Sequence, residues 1–498
     1  MIGKIRIWVN RFLNQKTHTG AVVLLSALST GLSPVFHFYN SNLSLVNSWD
    51  QLIFFISFFL VAPVFTFKAI FWIAGKLKVS EQTITYVMSF LNHWFFGSYM
   101  VIVLFGFNYR YLALILILAF ISSYILRRYL RKIVLSQLLL AILVFARLIP
   151  DFYACANYSN TWMNPVDDIT SVEFEKHPNV YVIQPDGYAN FSEFNKGYYN
   201  FDNTGFKTYL KNHDFKIYDD YRSNYYSTLS SNSSMFAMKH HYYFGDKRAG
   251  AELYNARDII VGENPVLSIF KNNEYKTFLL LEFPYLLLNR PKLFYDNCNM
   301  AQHEVSFFPS GFNFKKDIKA DLEHRIMENK DTHNFYFMEK LTPGHINNPG
   351  STEIGGHIEV YAKGLKKANQ WMERTIDMIL EKDENGLIII ASDHGGFLGF
   401  NDTYESKIKQ SDSELIRSIF TSLLAIKWPK NKAPLFDHKI KTSVNLFRVL
   451  MAYLSNDKSY LEHLEQDKSY IEIYKGAPKG IYECINEKGE VVFNKISD

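Results

Sequence analysis

The chain predicts a two-part architecture: an N-terminal bundle of five transmembrane helices, then an α/β domain with a mainly parallel sheet between helices. Three observations carry this expectation. Long apolar stretches dominate residues 1–150. The remainder alternates short apolar runs of strand type with helix-compatible segments. Two of the runs, at 180–184 and 387–392, break off into acidic residues, Asp186 and Asp393.

Five apolar segments stand out, at about 20–39, 52–75, 84–107, 111–126 and 133–149. Three are near or above the ~20 residues that span a bilayer. The last two are shorter, but Arg and Lys at their ends can snorkel, as can Lys68 in the second segment. The first segment is followed at once by others, so a cleaved signal peptide is not expected. Loop charge sets the orientation. Lys4, Arg6, Arg11 and Lys16 precede the first segment; Lys76 and Lys78 follow the second; Arg127, Arg128, Arg131 and Lys132 follow the fourth. The loop 40–51 has no Lys or Arg, and 108–110 has only Arg110. A cytoplasmic N-terminus and five crossings place everything after about Pro150 outside.

Residues 151–177 are polar and aperiodic and read as a linker. A catalytic domain is expected over 178–455. Its strands are predicted at 180–184, 216–219, 276–282, 334–338, 387–392 and 422–427, and its helices at 204–213, 230–238, 264–272, 317–330, 359–382 and 443–455. This alternation favours a parallel sheet with helices on both faces. Residues 456–498 form a polar tail, with a probable hairpin over 480–495 around Glu487-Lys488-Gly489.

The net charge of +4 on 498 residues gives no reason to expect a nucleic-acid partner. Cys155, Cys298 and Cys484 form no Cys-x-x-Cys pair, which excludes a thiolate zinc cluster. One disulfide is feasible in an oxidising compartment, but isolated thiols are the expectation.

The candidate chemistry lies at the strand ends. Asp393 and His394 sit where an apolar strand would deliver them to the carboxyl edge of a sheet, and a carboxylate beside an imidazole suits a divalent cation such as zinc. Asp186 occupies the same place after the earlier strand. The stretch 222–230 brings hydroxyls to a predicted helix N-terminus. Such a hydroxyl is ordinarily an N-cap. The same position also aims backbone N–H groups at an anion, and a cation would make the hydroxyl a nucleophile toward phosphorus. Ser227, Thr228, Ser230 and Ser231 compete for that role on composition alone. A fourth element, 334–345, leaves a strand and carries His345, placed to donate to a phosphoryl oxygen or protonate a leaving group, with Glu339 a weaker candidate. His240, His241, His357 and His438 read as surface or packing residues.

The order of these motifs resembles the alkaline phosphatase/sulfatase-like superfamily. Within it, the chain is similar to the bacterial membrane-bound branch that includes lipoteichoic acid synthase and the lipopolysaccharide phosphoethanolamine transferases. The resemblance covers most of 177–455. It rests on Asn179-Val-Tyr-Val-Ile-Gln-Pro-Asp-Gly-Tyr188, Ser223-Asn-Tyr-Tyr-Ser-Thr228 and Ile388-Ile-Ile-Ala-Ser-Asp-His-Gly395. It implies a sulfatase-like catalytic domain and one divalent metal ion, zinc or manganese, held by Asp186, Thr228, Asp393 and His394. Thr228 would be the nucleophile that forms a phospho-threonine, and His345 would face the substrate.

Three departures matter. The membrane transferases use Glu where this chain has Asp186. Their Pro-His pair is Pro343-Gly344-His345 here, one residue longer. No full second ligand set can be assigned, so one metal is preferred. The Cys/Ser-x-Pro-x-Arg motif needed for formylglycine is missing, which disfavours sulfate-ester hydrolysis by that route.

The implied function is a transferase that moves a phosphoethanolamine- or phosphoglycerol-type group from a phospholipid donor to a cell-surface glycan or lipid acceptor. The alternatives are an extracytoplasmic phosphoester or sulfate-ester hydrolase of the same superfamily, and a non-enzymatic lipid-binding regulator. The implied location is the plasma (inner) membrane, multi-pass, with the catalytic domain periplasmic or extracellular.

Overall fold

A computed structural model describes residues 2–15, 17–245, 253–308, 314–346 and 354–497. The chain divides into two compact units, Met1–Tyr158 and Ser159–Asp498.

The first unit is helical. It comprises α1 (Ile2–Asn14), α2 (Gly20–Asn42), α3 (Trp49–Ile56), α4 (Ala62–Lys76), α5 (Glu81–Phe105), α6 (Tyr109–Leu126) and α7 (Leu130–Ala156), with a π-helical turn at Ser57–Val61 joining α3 to α4. Four stretches are long and apolar enough to cross a membrane: Gly20–Leu45, Trp49–Lys76, Glu81–Phe105 and Tyr109–Met163. Four such stretches stand where the sequence reading marked five segments. The fourth and fifth expected segments fall together in the last one, because Arg127–Tyr129 continues as a 3₁₀ turn between α6 and α7 instead of opening into a loop. Within this stretch α6 packs along α5, where His93 Nδ1 meets Ser122 Oγ at 2.9 Å. Helix α7 packs along α2 and α5 through a buried polar knot: Gln137 accepts from Ser29 Oγ at 2.7 Å and from Asn92 Nδ2 at 2.9 Å. Side-chain amides bonded to each other satisfy their polar groups away from water. Helix α7 also runs through Pro150 to Ala156, six residues into the segment expected as a linker.

The second unit is built on a seven-stranded sheet. Its strands are β1 (Val180–Pro185), β2 (Lys216–Ile217), β3 (Lys276–Leu281), β4 (Asn297–Cys298), β5 (Asn334–Lys340), β6 (Leu387–Ala391) and β7 (Leu424–Lys427), in the spatial order β2-β7-β6-β1-β5-β3-β4. β1 pairs in parallel with both β5 and β6, with Ile183 opposite Met338 on one side and Ile390 on the other. β7 runs antiparallel to both β6 and β2, so the sheet is mixed and not purely parallel. The six predicted strands are all present. The two-residue β4 is too short to leave a periodic trace in the sequence.

The helices of this unit are α8 (Thr204–Asn212), α9 (Thr228–Ala237), α10 (Ala256–Val261), α11 (Pro265–Asn272), α12 (Ile318–Glu328), α13 (Ile354–Lys382), α14 (Ser413–Phe420) and α15 (Ser443–Ser455). The period-2 alternation of the strands sorts them to two faces. Tyr181, Ile183, Tyr336, Ile388 and Ile390 share a core with Leu365, Met372 and Ile376 of the amphipathic α13. The intervening residues face the other side, where Phe236 of α9 meets Phe337 at 5.0 Å and Phe447 of α15 meets Phe335 at 6.1 Å between ring centroids. Each of these aromatic rings is fully buried and contributes roughly 1.5–3 kcal/mol of burial.

The expected C-terminal hairpin is real, β9 (Gly480–Ile485) against β10 (Val491–Ser497), but a third strand, β8 (Ser469–Ile473), joins it. β8 hydrogen-bonds the segment leading into α9: Tyr470 N donates to Asn224 O at 2.8 Å, and Ser469 Oγ to Ser223 O at 2.6 Å. The polar tail is thus an integral wall of this unit.

Candidate metal centre and nucleophile

The order β6-β1-β5 explains why residues far apart in sequence meet. Three adjacent parallel strands end at one edge. β1 delivers Asp186 and β6 delivers Asp393 and His394, while β5 ends in Lys340 and turns through Pro343 to His345. The β1 turn needs Gly187. Its φ is +64°, and a Cβ there would lie 2.6 Å from Gly344 O. The same residue's N–H donates to Asp393 Oδ1 at 3.1 Å, tying the two strand ends together.

One ligand atom each of Asp186, Asp393 and His394 fall within 4.8 Å of one another. His394 Nε2 is 3.6 Å from Asp186 Oδ1 and 3.4 Å from Asp393 Oδ2. Thr228 completes the group, with Oγ1 at 3.4 Å from both Asp186 Oδ1 and His394 Nε2. It is the first residue of α9 and so sits at the positive end of the helix dipole. Ser227 is the N-cap, its side chain accepting from Ser230 N.

The other hydroxyls are engaged elsewhere. Ser230 Oγ bonds Ser227 Oγ at 2.6 Å, and Ser231 Oγ donates to Tyr225 O at 2.8 Å. Of the four hydroxyls left open by composition, Thr228 alone bonds the carboxylate–imidazole group, among the described residues.

The donor set fits a divalent cation on three counts. Asp393 Oδ2 is buried without a hydrogen-bond partner, while Oδ1 accepts from the N–H groups of Gly187 and His394. His394 Nδ1 is 2.8 Å from Gly395 O, so that nitrogen carries the proton and Nε2 turns its lone pair toward the carboxylates. Burial, then the Asp393 charge, push the Asp186 carboxyl up to about 7, against the pull of His394 and Thr228. Two buried carboxylates that repel each other are relieved by a cation.

Against known proteins, no family model matches the chain, and no curated protein does. Solved structures do match. The chain is similar to phosphoethanolamine transferases and a lipoteichoic acid synthase. The integral membrane lipooligosaccharide phosphoethanolamine transferase A of Neisseria meningitidis is 14% identical, with 88% of this chain and 96% of that one covered, at a TM-score of 0.40. The lipoteichoic acid synthase LtaP of Listeria monocytogenes is 12% identical over 66% and 92%, at 0.41. The zinc complex of the C-terminal periplasmic domain of EptC from Escherichia coli is 10% identical over 59% and 86%, at 0.37.

His345 lies at the mouth of the group, its ring centroid 5.6 Å from that of His394. It keeps contact with solvent, yet the protein around it and the charge of His394 push its pKa down to about 4. Its Nδ1 is 2.6 Å from Ile346 O, which assigns the proton to Nδ1 and leaves Nε2 as an acceptor.

Glu339 is fully buried with neither carboxylate oxygen hydrogen-bonded. Burial, then Asp186 and Asp393, hold its pKa well above the usual carboxylate range. It lies opposite Gln184 on β1, whose amide pairs with Asn232 of α9 at 2.6 and 2.8 Å. That pair locks α9, and with it Thr228, against the sheet.

The sequence reading also missed what anchors the nucleophile segment. Asn224 accepts from Ser443 Oγ and Val444 N at 2.9 and 2.8 Å and donates to Lys468 O at 2.7 Å. An Asn between Ser and Tyr just before a helix was the available signal, but its partners lie over 200 residues away. His240 and His241 are buried packing residues around Tyr225, whose ring stacks on His241 at 3.9 Å. His357 is also buried, and His438 is exposed. All three cysteines are free.

Proposed function

We propose that the chain is a membrane-anchored, metal-dependent phosphotransferase with Thr228 as its nucleophile. The observation that carries this reading is the position of Thr228 Oγ1, 3.4 Å from both Asp186 Oδ1 and His394 Nε2 at the start of α9. The motif order supports a phospholipid donor of phosphoethanolamine or phosphoglycerol type and a cell-surface glycan or lipid acceptor. A divalent cation, zinc or manganese, held by Asp186, Thr228, Asp393 and His394 would supply Lewis acidity to the hydroxyl and neutralise phosphoryl charge.

The chain's own residues do the rest. Thr228 Oγ1 attacks the phosphorus of the lipid phosphodiester, and the Asp186 carboxylate is the acceptor within reach of its proton. The new Oγ–P bond replaces the P–O bond to diacylglycerol, whose oxygen takes up the proton released from Thr228 and leaves as the alcohol. The start of α9 favours the anionic phospho-threonine. An acceptor hydroxyl then attacks the same phosphorus, the Oγ–P bond breaks, and Nε2 of His345 takes the hydroxyl proton. Water as acceptor gives hydrolysis by the same residues. The basic loops support a cytoplasmic N-terminus and an external catalytic unit.

The test is turnover of phospholipid head groups by three variants. Thr228→Ala abolishes it, Thr228→Ser keeps part because the attacking oxygen survives, and Ser227→Ala stays active. Wild-type turnover by Thr228→Ala would remove Thr228 from the mechanism.

A further inference from the structure

A cavity of about 300 Å³ lies outside the centre just described, between the segment that precedes Thr228, helix α14 and the β9–β10 turn. None of the candidate metal-binding or nucleophilic residues lines it. Its walls carry Arg222, Arg417, Lys441 and Lys488, together with the carboxylates Asp220 and Glu487. Two further acids in the wall are already paired, Glu193 with Lys196 and Asp219 with Lys207. Among the described residues, the four cations and the other two acids make no ion pair within 4.0 Å, and with Lys196, Glu193 and Asp219 counted the wall carries one net positive charge.

Arg222 is the most firmly held cation of the wall. It is only 5% exposed, and its Nε is buried with no hydrogen-bond partner. One guanidinium nitrogen donates to the carbonyls of Asp467 and Asn486, which fixes the plane of the group. Burial lowers the Arg222 pKa and the charge of Arg417 adds to that, against Asp467 and Asp220. Among the described residues, the Arg417 side chain makes one hydrogen bond, a long 3.4 Å contact to Gly489 O. Two guanidinium groups lining one cavity match an anion with several oxygens. Arginine serves this purpose better than lysine because its planar fork meets such oxygens in pairs.

We propose that this cavity binds a phosphate-type oxyanion, clamped by Arg222 and Arg417 with Lys441 and Lys488 balancing the remaining charge. The site is coupled to the nucleophile segment through the backbone, because Arg222 N donates to Lys441 O at 3.0 Å and Ser443 N donates to Arg222 O at 3.2 Å. This goes beyond the catalytic reading and does not depend on it.

Isothermal titration of the purified full-length protein in detergent, at constant ionic strength, tests the site. The probes are inorganic phosphate and, in a second arm, glycerol 3-phosphate. An Asp393→Ala background removes the metal centre as a competing phosphate site. In that background one phosphate still binds, and Arg417→Gln with Lys441→Gln weakens it about tenfold or more. The same pair of changes in the wild type removes one of two binding events, which covers the case where Asp393→Ala does not fold. Tighter binding of the ester identifies the phosphoryl group of a larger ligand, and binding of inorganic phosphate alone identifies the free ion. No phosphate binding outside the metal centre, or binding unchanged by Arg417→Gln and Lys441→Gln, overturns the proposal.

Discussion

Asp393→Asn separates the electrostatics of the centre from its fold. The carboxylate does two jobs. Oδ1 accepts from Gly187 N at 3.1 Å and His394 N at 3.0 Å, while Oδ2 is buried and unpartnered. The amide keeps the first job through its own oxygen, and its NH₂ sits where Oδ2 was, 3.4 Å from the lone pair of His394 Nε2. The strand ends thus stay tied while the negative charge disappears.

In the metal-free wild type, Asp186 titrates at about 7 instead of 3.8, raised by burial and then by Asp393. A carboxyl whose folded pKa is raised contributes stability that is full below the unfolded value and is lost as pH rises through the folded one. The full loss corresponds to about 4 kcal/mol between pH 4 and 8. The Asp393 charge is the second cause, so removing it returns the smaller part of that loss at pH 8 and almost nothing at pH 4. Thermal unfolding of chelated protein at both pH values, with metal analysis of the unchelated protein, reads this out. Asp393→Asn carries no stoichiometric metal, and its chelated form melts above chelated wild type at pH 8 but level with it at pH 4. A full equivalent of metal in Asp393→Asn, or a lower melting point at pH 8, would refute the reasoning.

Asn224→Ala removes three buried hydrogen bonds that pin the nucleophile segment and should cost roughly 2–4 kcal/mol, seen as a lower Tm, with Asn224→Asp losing less because both acceptor bonds remain. His345→Ala should leave attack by Thr228 intact but slow its resolution, so covalent adduct accumulates in rapid-quench experiments; a burst no larger than wild type would count against its role as base. A reporter fused after Asp498 should be active only outside the cytoplasm, and cytoplasmic activity would remove access to the external acceptor.

The strand ends were legible because buried strands announce themselves. Val180–Pro185 and Leu387–Ala391 are continuous apolar runs broken by Asp, and both stand where expected. Their adjacency was not legible, since pairing β1 with β6 across about 200 residues depends on sheet order and not on local pattern. Thr228 could be separated from Ser227, Ser230 and Ser231 by composition only through the motif resemblance. The structure separates them by the bonds their hydroxyls already make. β8 was hidden because Ser469–Ile473 sits in a polar stretch and gains its register from β9 and from the Asn224 backbone. The junction at Arg127–Tyr129 read as a basic loop between two segments but is a tight 3₁₀ turn, so α6 and α7 fall in one apolar stretch.

Peptide mass spectrometry of the protein quenched during turnover of phosphatidylethanolamine or phosphatidylglycerol vesicles tests the central claim most directly. The account predicts a phospho-alcohol adduct on the peptide carrying Thr228, absent from Thr228→Ala and from Asp393→Asn. Turnover with no adduct, or an adduct on Ser230 or Ser231 that survives Thr228→Ala, would contradict it.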